Sequence, residues 1–184
     1  KQLISVFAGG PVDALKTGMM GNEKNIILAS EWIQKMKVTN VVIDPVIACK
    51  GTAQILQPKS VEGIKNHLLP HGLIATPNLV EAGILSGLGD LTTLDEVKEA
   101  ARLIHQRGVK NVVVKGGRRF ASEKAVDVFY DGKYFEVLEG EMIATDFNHG
   151  AGCTFAAAIT AGLAKGMPVL EAVVVAKDFV AAAI

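Results

Sequence analysis

The chain alternates continuously apolar runs with segments of mixed polarity. Three apolar runs are rich in β-branched residues, as strands buried on both faces are: VTNVVIDPVIA (38–48), HGLIATPN (71–78) and KNVVVKGG (110–117). The segments 22–37, 60–69 and 93–108 have helical periodicity. In the last of them, Thr93 and Glu96 have the spacing of a capping box, and Gly108 is a stop signal. This alternation predicts βαβ units around a parallel sheet.

The pattern changes in the second half of the chain. Residues 125–140 alternate with period two around Asp131-Gly132, which predicts an antiparallel hairpin at one edge of the sheet. Two more helices are predicted, from Ala151 to about Lys165 and from Pro168 onward. The predicted fold class is therefore α/β, with a mostly parallel central sheet and an antiparallel edge hairpin.

Composition narrows the classes of partner. The chain has 184 residues, of which 49% are hydrophobic, so we expect a single domain with one sizeable core. Nineteen basic and nineteen acidic side chains give a formal charge of zero, which argues against nucleic acid and anionic membranes and favours a small-molecule substrate. No apolar run reaches the roughly 18 residues of a membrane span, and the first ten residues lack a signal-peptide pattern, so a cytoplasmic protein is expected.

The segment FNHGAGCTFAAAI (147–159) carries the first candidate chemistry. Gly150, Ala151 and Gly152 precede Cys153 at a predicted helix start, where backbone N–H groups and the helix dipole favour an anion. The same field favours a thiolate, which makes Cys153 a candidate base or nucleophile. A tight loop–helix junction with a small buried residue explains the segment equally well. The two cysteines, Cys49 and Cys153, lack the spacing of a metal site and are expected as free thiols.

Polar residues follow three predicted strands. In an open α/β sheet, ligands bind beyond the carboxyl ends of the strands, which brings Asp44-Pro45, 76–78 and 115–117 into one neighbourhood. Asn78 and Glu81 stand three residues apart at a helix start. Carboxylate and amide oxygens with the Lys115 cation suit Mg²⁺ and a polyphosphate. The alternatives are helix capping for Asn78 and Glu81, and a solvated strand end for Lys115.

Five segments, in order and spacing, resemble the ribokinase-like vitamin kinases, a group that includes hydroxymethylpyrimidine kinases and pyridoxal kinases. They are DALKTGMMG, VVIDPV, ATPNLVEAGILSGL, VVVKGG and HGAGCTFAAAI. The resemblance implies a ribokinase-like three-layer α/β/α sandwich, with residues 1–184 as a single kinase domain. Because Cys49 in ACKG matches a second active-site cysteine, the pyridoxal kinase branch is favoured. The family's substrate-binding AGSD and GGAG motifs would precede Lys1, and the chain stops at Ile184 inside a helical pattern without a capping residue. We therefore expect an N-terminal segment and a C-terminal end to be lacking.

The resemblance also implies roles for individual residues. Cys153 would accept the proton of the substrate hydroxymethyl group, and the N–H groups from Gly150 through Ala151 and Gly152 would stabilise charge on the γ-phosphate. Further residues would contact ATP or Mg²⁺: Asn78, Lys115, Asp127 and His149 on the nucleotide side, and Glu81 and Asp44 at the metal. Met19 would line the substrate pocket, with plain packing as an equal alternative. Cys49 would assist proton movement, or hold an aldehyde substrate together with Cys153.

Three functions follow from these roles. The first is ATP- and Mg²⁺-dependent phosphorylation of the vitamin B6 vitamers pyridoxal, pyridoxine and pyridoxamine, with hydroxymethylpyrimidine as a further acceptor. The second is a hydroxymethylpyrimidine/phosphomethylpyrimidine kinase of thiamine biosynthesis. The third is a non-catalytic pyridoxal-binding protein, against which the triphosphate-type residues argue. A homodimer is expected in each case.

Overall fold

The computed structural model describes residues 2–47, 58–117, 124–145 and 149–184. Within these ranges six strands form one sheet, in which spatial order follows chain order. The strands are β1 Leu15–Thr17, β2 Val41–Ile43, β3 Ile74–Ala75, β4 Asn111–Lys115, β5 Lys124–Tyr130 and β6 Phe135–Glu141. Strands β1 to β4 pair in parallel, and β5 and β6 add an antiparallel ribbon at the β4 edge. The predicted parallel sheet with an edge hairpin is confirmed.

Most of the described helices pack on the two faces of this sheet. The described helices are α1 Gln2–Phe7, α2 Glu23–Met36, α3 Pro58–Gly63, α4 Leu79–Ser86, α5 Leu94–His105, α6 Ala151–Ala164 and α7 Val169–Ala183. The predicted helix 60–69 has a composite form, because α3 continues through a π-helical turn, Ile64–Leu68, into a 3₁₀ turn, Leu69–His71. Among the described residues, none of the helices has the length and apolar character that crossing a membrane requires.

The capping box predicted at the start of α5 is present. The Thr93 hydroxyl accepts a bond from the Glu96 backbone N–H at 3.3 Å, and Glu96 accepts bonds from the N–H groups of Thr92 at 2.8 Å and Thr93 at 2.9 Å. These bonds, the one from Thr92 foremost, lower the pKa of Glu96 to about 2, because they stabilise the ionised carboxylate. The hairpin turn is fixed similarly, since the Asp131 carboxylate accepts bonds from the N–H groups of Tyr134 at 2.7 Å and Lys133 at 2.8 Å.

Alternate residues of the central strands face two separate cores. Val41 and Ile43 of β2 belong to a core that includes residues of α2 to α5, whereas Val42 between them packs with residues of α6 and α7. Strand β4 repeats the pattern, with Val113 on the α6 and α7 side. The result is the three-layer α/β/α arrangement that the sequence predicts. Because α6 begins at the carboxyl edge of the sheet, its side of the sheet is where the candidate site forms.

Candidate active site

Two polar side chains at the carboxyl edge of the sheet project toward α6. Asp44 directly follows β2, and because side chains alternate along a strand, it continues the face that holds Val42. Lys115 ends β4 on the face that holds Val113. The Lys115 ammonium lies 3.5 Å from Asp44 Oδ1, and the same oxygen accepts a bond from the Thr76 hydroxyl at 3.4 Å. The three strand ends therefore meet, as expected for an open α/β sheet.

The interpretation of Lys115 as a solvated strand end does not hold in this structure. Its side chain is only 18% exposed, and its partner Asp44 is almost completely buried at 3%. Burial of both members keeps their attraction from being screened by water to the extent of a surface pair. Lys115 is therefore a cation held at a defined place at the sheet edge.

Asn78 and Glu81 form a capping box at the start of α4. Asn78 Oδ1 accepts a bond from the Glu81 N–H at 3.0 Å, and Glu81 Oε2 accepts one from the Asn78 N–H at 2.8 Å. The other Glu81 oxygen accepts a bond from the Ile47 N–H at 3.1 Å. The capping alternative thus describes these two side chains in this structure. Their contacts with ATP and Mg²⁺ stay predictions.

Opposing effects act on the charge of Glu81. Burial raises the pKa of this carboxyl group, because the ionised form loses hydration, and this is the largest effect. The bond from the Asn78 N–H and the positive charge of Lys115 oppose the rise, whereas the negative charge of Asp44 adds to it. Asp44 and Lys115 are therefore the charged groups that act on the pKa of Glu81.

The start of α6 provides backbone donors next to this cluster. Gly150 adopts φ 85° and ψ −9°, a left-handed conformation that suits glycine, and α6 begins at the next residue without a side-chain cap. The first N–H groups of a helix have no partner inside the helix. A Cβ atom built on Gly152 would lie 3.1 Å from Lys115 Nζ, so the ammonium lies directly against this first turn. Cys153 and His149 beside it are exposed.

The cluster also contains the two acidic residues predicted to bind a metal. Mg²⁺ takes oxygen ligands and is commonly held by one or two carboxylates, with waters and substrate phosphates completing its coordination. Asp44 and Glu81 fit that donor set. Among the described residues, no group of three or more His, Cys, Asp or Glu side chains could hold a metal ion. The binding of Mg²⁺ by Asp44 and Glu81 stays a prediction.

Three predicted residues have other positions: Asp127 lies beside Lys115 across the β4–β5 pair, Met19 lies at the surface, and Cys49 lies outside the described residues. The Asp127 carboxylate accepts bonds from the Gly116 N–H at 3.0 Å and the Lys177 ammonium at 2.6 Å, so both of its oxygens already have protein partners. Met19 is 64% exposed, whereas Met20 next to it packs against the core of the α2 to α5 face. Cys49 lies outside the described residues, so its predicted role is a prediction from sequence alone.

Lys177 is the residue of this region that sequence reasoning missed. It is the one lysine of α7 and lies fifty positions from Asp127, so no local pattern relates the two residues.

The amino-acid sequence matches a family of vitamin kinases. The family model of phosphomethylpyrimidine kinase matches residues 1–184. The pyridoxine kinase of Bacillus subtilis is 50% identical over 183 residues, which cover 100% of this chain and 68% of that protein. The hydroxymethylpyrimidine/phosphomethylpyrimidine kinase of the same organism is 38% identical over 172 residues, which cover 94% of this chain and 63% of that protein.

A solved structure shares the fold. The pyridoxal kinase of Staphylococcus aureus, in complex with AMP-PCP and pyridoxal, superposes with a TM-score of 0.91 at 44% identity. The match covers 98% of this chain and 64% of that one, so the chain spans about two thirds of the length of the relatives it matches. The fold, the order of the sequence motifs and the match of the family model over residues 1–184 all point to the same family. The chain therefore belongs to the phosphomethylpyrimidine kinase family.

Proposed function

We propose that the protein transfers the γ-phosphoryl group of ATP to the hydroxymethyl group of vitamin B6 vitamers. The observation that carries the proposal is the contact region between Lys115 and the first turn of α6. There a lysine ammonium lies against backbone N–H donors, one residue before the exposed Cys153. Such a site suits a transferring phosphoryl group, whose charge must be stabilised as it moves.

The choice of acceptor rests on the relatives. The chain is 50% identical to a pyridoxine kinase and 38% identical to a hydroxymethylpyrimidine/phosphomethylpyrimidine kinase, and both matches cover nearly the whole chain. The solved relative that binds AMP-PCP also binds pyridoxal. These comparisons favour a B6 vitamer as the acceptor, with hydroxymethylpyrimidine second.

The chemistry requires one proton acceptor and one anion site. The hydroxymethyl oxygen of the vitamin attacks the γ-phosphorus, the bond from that phosphorus to the bridging oxygen of ADP breaks, and ADP leaves. The hydroxyl proton passes to the sulfur of Cys153, which stands at the third position of α6. The N–H groups from Gly150 to Cys153 and the Lys115 ammonium hold the charge that develops on the phosphoryl oxygens.

Mg²⁺ completes the nucleotide side of the proposal. The ion would neutralise charge on the phosphates, and Asp44 and Glu81 would hold it directly or through water. Within the protein, Lys115 limits the repulsion between these two buried carboxylates, because its charge favours the ionised form of Glu81. A non-catalytic pyridoxal-binding protein would have no use for this arrangement of cation, carboxylates and helix start.

Parallel steady-state kinetics test the proposal. The whole protein, with ATP and Mg²⁺, is assayed with pyridoxal, pyridoxine and hydroxymethylpyrimidine, and Cys153→Ala serves as the inactive control. We expect kcat/KM for a B6 vitamer to exceed that for hydroxymethylpyrimidine by roughly tenfold or more, the range that pocket contacts supply. A reversed preference would support the thiamine kinase. Binding of pyridoxal without ADP release would support the non-catalytic protein. The homodimer and the cytoplasmic location stay predictions from sequence.

A further inference from the structure

Lys177 joins α7 to the antiparallel ribbon through a largely buried ammonium group. Lys177 Nζ donates to Asp127 Oδ2 at 2.6 Å and to the Ala125 carbonyl at 3.3 Å, both on β5. The Lys177 side chain is 14% exposed, and that of Asp127 is 12% exposed. A Cβ atom built on Gly140 of β6 would lie 3.0 Å from Lys177 Cε, so the lysine stem passes directly over a residue without a side chain. The ammonium is therefore held in one place by the ribbon.

The second oxygen of Asp127 reaches the candidate site. Asp127 Oδ1 accepts a bond from the Gly116 N–H at 3.0 Å, and Gly116 directly follows Lys115. Asp127 is also the register partner of Lys115 across the β4–β5 pair. On the other side of β4, the Lys115 N–H donates to the Pro77 carbonyl at 2.9 Å. The backbone on both sides of the Lys115 side chain is thus fixed, on one side by Pro77 and on the other by Asp127.

We propose that Lys177 is a positioning residue for the nucleotide side of the site, acting through Asp127 and the Gly116 peptide to direct the Lys115 ammonium at the start of α6. The inference rests on the proposed function, because the role of Lys115 toward a phosphoryl group belongs to that proposal. It also gives Asp127 a structural task beside the direct ATP contact predicted from sequence, which stays a prediction. Each oxygen of Asp127 accepts a bond from the protein, and the bond from the Gly116 N–H links Asp127 to the residue next to Lys115.

A merely stabilising ion pair would behave differently. Buried pairs contribute little net stability compared with a well-packed apolar pair, so stability alone is a weak reason for this one. Positioning has a specific consequence, since small displacements of a group that orients a substrate lower the rate strongly. The lysine should therefore affect the use of ATP and leave the use of the vitamin unaltered.

The experiment compares Lys177→Met, Lys177→Arg and Lys124→Gln in the whole protein. Lys124 pairs with Glu139 on the same ribbon, but both side chains are more than half exposed, which makes it the matched control. For Lys177→Met we expect kcat/KM for ATP to fall roughly 10- to 100-fold. KM for the vitamin should stay within about twofold. Lys177→Arg should recover most of the loss because it restores the charge and the donors, and Lys124→Gln should match the parent protein.

A second readout does not depend on activity. Amide hydrogen exchange at Gly116 should be faster in Lys177→Met than in the parent protein, whereas exchange at Val113 within β4 should be unchanged. If Lys177→Met does not fold, because Asp127 is left buried without its cation, Lys177→Met/Asp127→Asn removes that unpaired charge and is measured in its place. The same ATP-selective loss is expected for it.

Two results would overturn the inference. One is an unchanged kcat/KM for ATP in the folded variant together with parent-like exchange at Gly116. The other is an equal loss for ATP and vitamin, which would show that the pair only maintains the fold. A parent protein that turns over none of the vitamins is a separate outcome, since it refutes the proposed function while the exchange at Gly116 still reports on the contact.

Discussion

Cys153 is the residue on which the proposed chemistry depends most directly. It is exposed at the third position of α6, where, in the proposed function, the backbone N–H groups and the Lys115 ammonium hold the phosphoryl group. In Cys153→Ala those N–H groups remain, whereas the proton acceptor is lost. We expect kcat to fall by roughly 10²–10⁴, the usual effect of losing a general base, with the affinity for ADP within a few-fold. Steady-state kinetics and calorimetric titration with ADP measure the two effects, and an unchanged kcat would remove Cys153 from the mechanism.

Glu81 stabilises the fold in addition to its predicted role at the metal. Its two carboxylate oxygens accept bonds from the N–H groups of Asn78 and Ile47. In Glu81→Gln one of these oxygens becomes an amide nitrogen, which cannot accept a bond, so a buried N–H loses its partner. We expect the free energy of unfolding to fall by about 1–3 kcal/mol, measured by urea denaturation. Unchanged stability with a selective loss of ATP use would instead show that the residue serves only the metal.

For the side chains at the sheet edge, the sequence predicts which residues lie close together, but it does not predict every contact they make. Asp44 and Lys115 could be placed together, because strand ends in an open parallel sheet share one edge. Whether Glu81 caps a helix or holds a metal could not be decided from sequence, because both tasks use the same carboxylate oxygens at the same spacing. The Lys177 partner of Asp127 could not be found either, since nothing local relates residues of α7 and β5.

At the scale of elements, the first turn of α6 is both a helix start and the proposed anion site. Alanine is the better helix former by about 0.5–1 kcal/mol, so Gly152→Ala should leave stability equal or higher. Its new methyl group, however, would lie 3.1 Å from Lys115 Nζ and push the ammonium aside. We therefore expect a raised KM for ATP in a protein whose thermal midpoint is not lowered.

Gly162→Ala is the matched control in the same helix. There the new methyl group would lie 3.0 Å from the Ala172 Cβ atom and 3.2 Å from the Met167 sulfur, inside the contact between α6 and α7. Stability should fall while KM for ATP stays at the parent value. The explanation for Gly152 would be wrong if both variants altered KM for ATP equally.

The start of α5 makes a pH-dependent contribution to stability. Because the folded-state pKa of Glu96 is lowered from 4.5 to about 2, its capping contribution is fully present above 4.5 and is lost as the pH falls toward about 2. In Glu96→Gln this titration is absent. The difference in urea midpoint between the parent protein and Glu96→Gln should therefore shrink as the pH is lowered through this window. A constant difference would show that the ionised carboxylate is not what caps α5.

For the whole molecule, the order of elements was predictable because each type has its own hydrophobic period. The strands buried on both faces, the capped helix α5 and the edge hairpin follow from local patterns. Strand β1 was not predicted, because its three residues, LKT, are too few and too mixed in polarity to show a period. The run 38–48 was longer than β2 itself, since Asp44 and Ile47 beyond the strand are also buried. The apolar run 38–48 therefore reflects the burial of these residues rather than the length of the paired strand.

The backbone donors of the candidate site and the Lys115 ammonium against them lie on the α6 face of the sheet, and one pair of substitutions tests this division between the two faces. Ile104 of α5 and Ile159 of α6 are both fully buried, on opposite sides of the sheet. Truncation of either to alanine should cost about 2–5 kcal/mol of unfolding free energy, because each leaves a cavity. Only α6 carries the donors of the candidate site at its start, so Ile159→Ala should also raise KM for ATP, whereas Ile104→Ala should leave the kinetics of the folded protein unchanged. Urea denaturation and steady-state kinetics on both variants decide the matter, and an equal rise in KM for ATP would contradict the division between the faces.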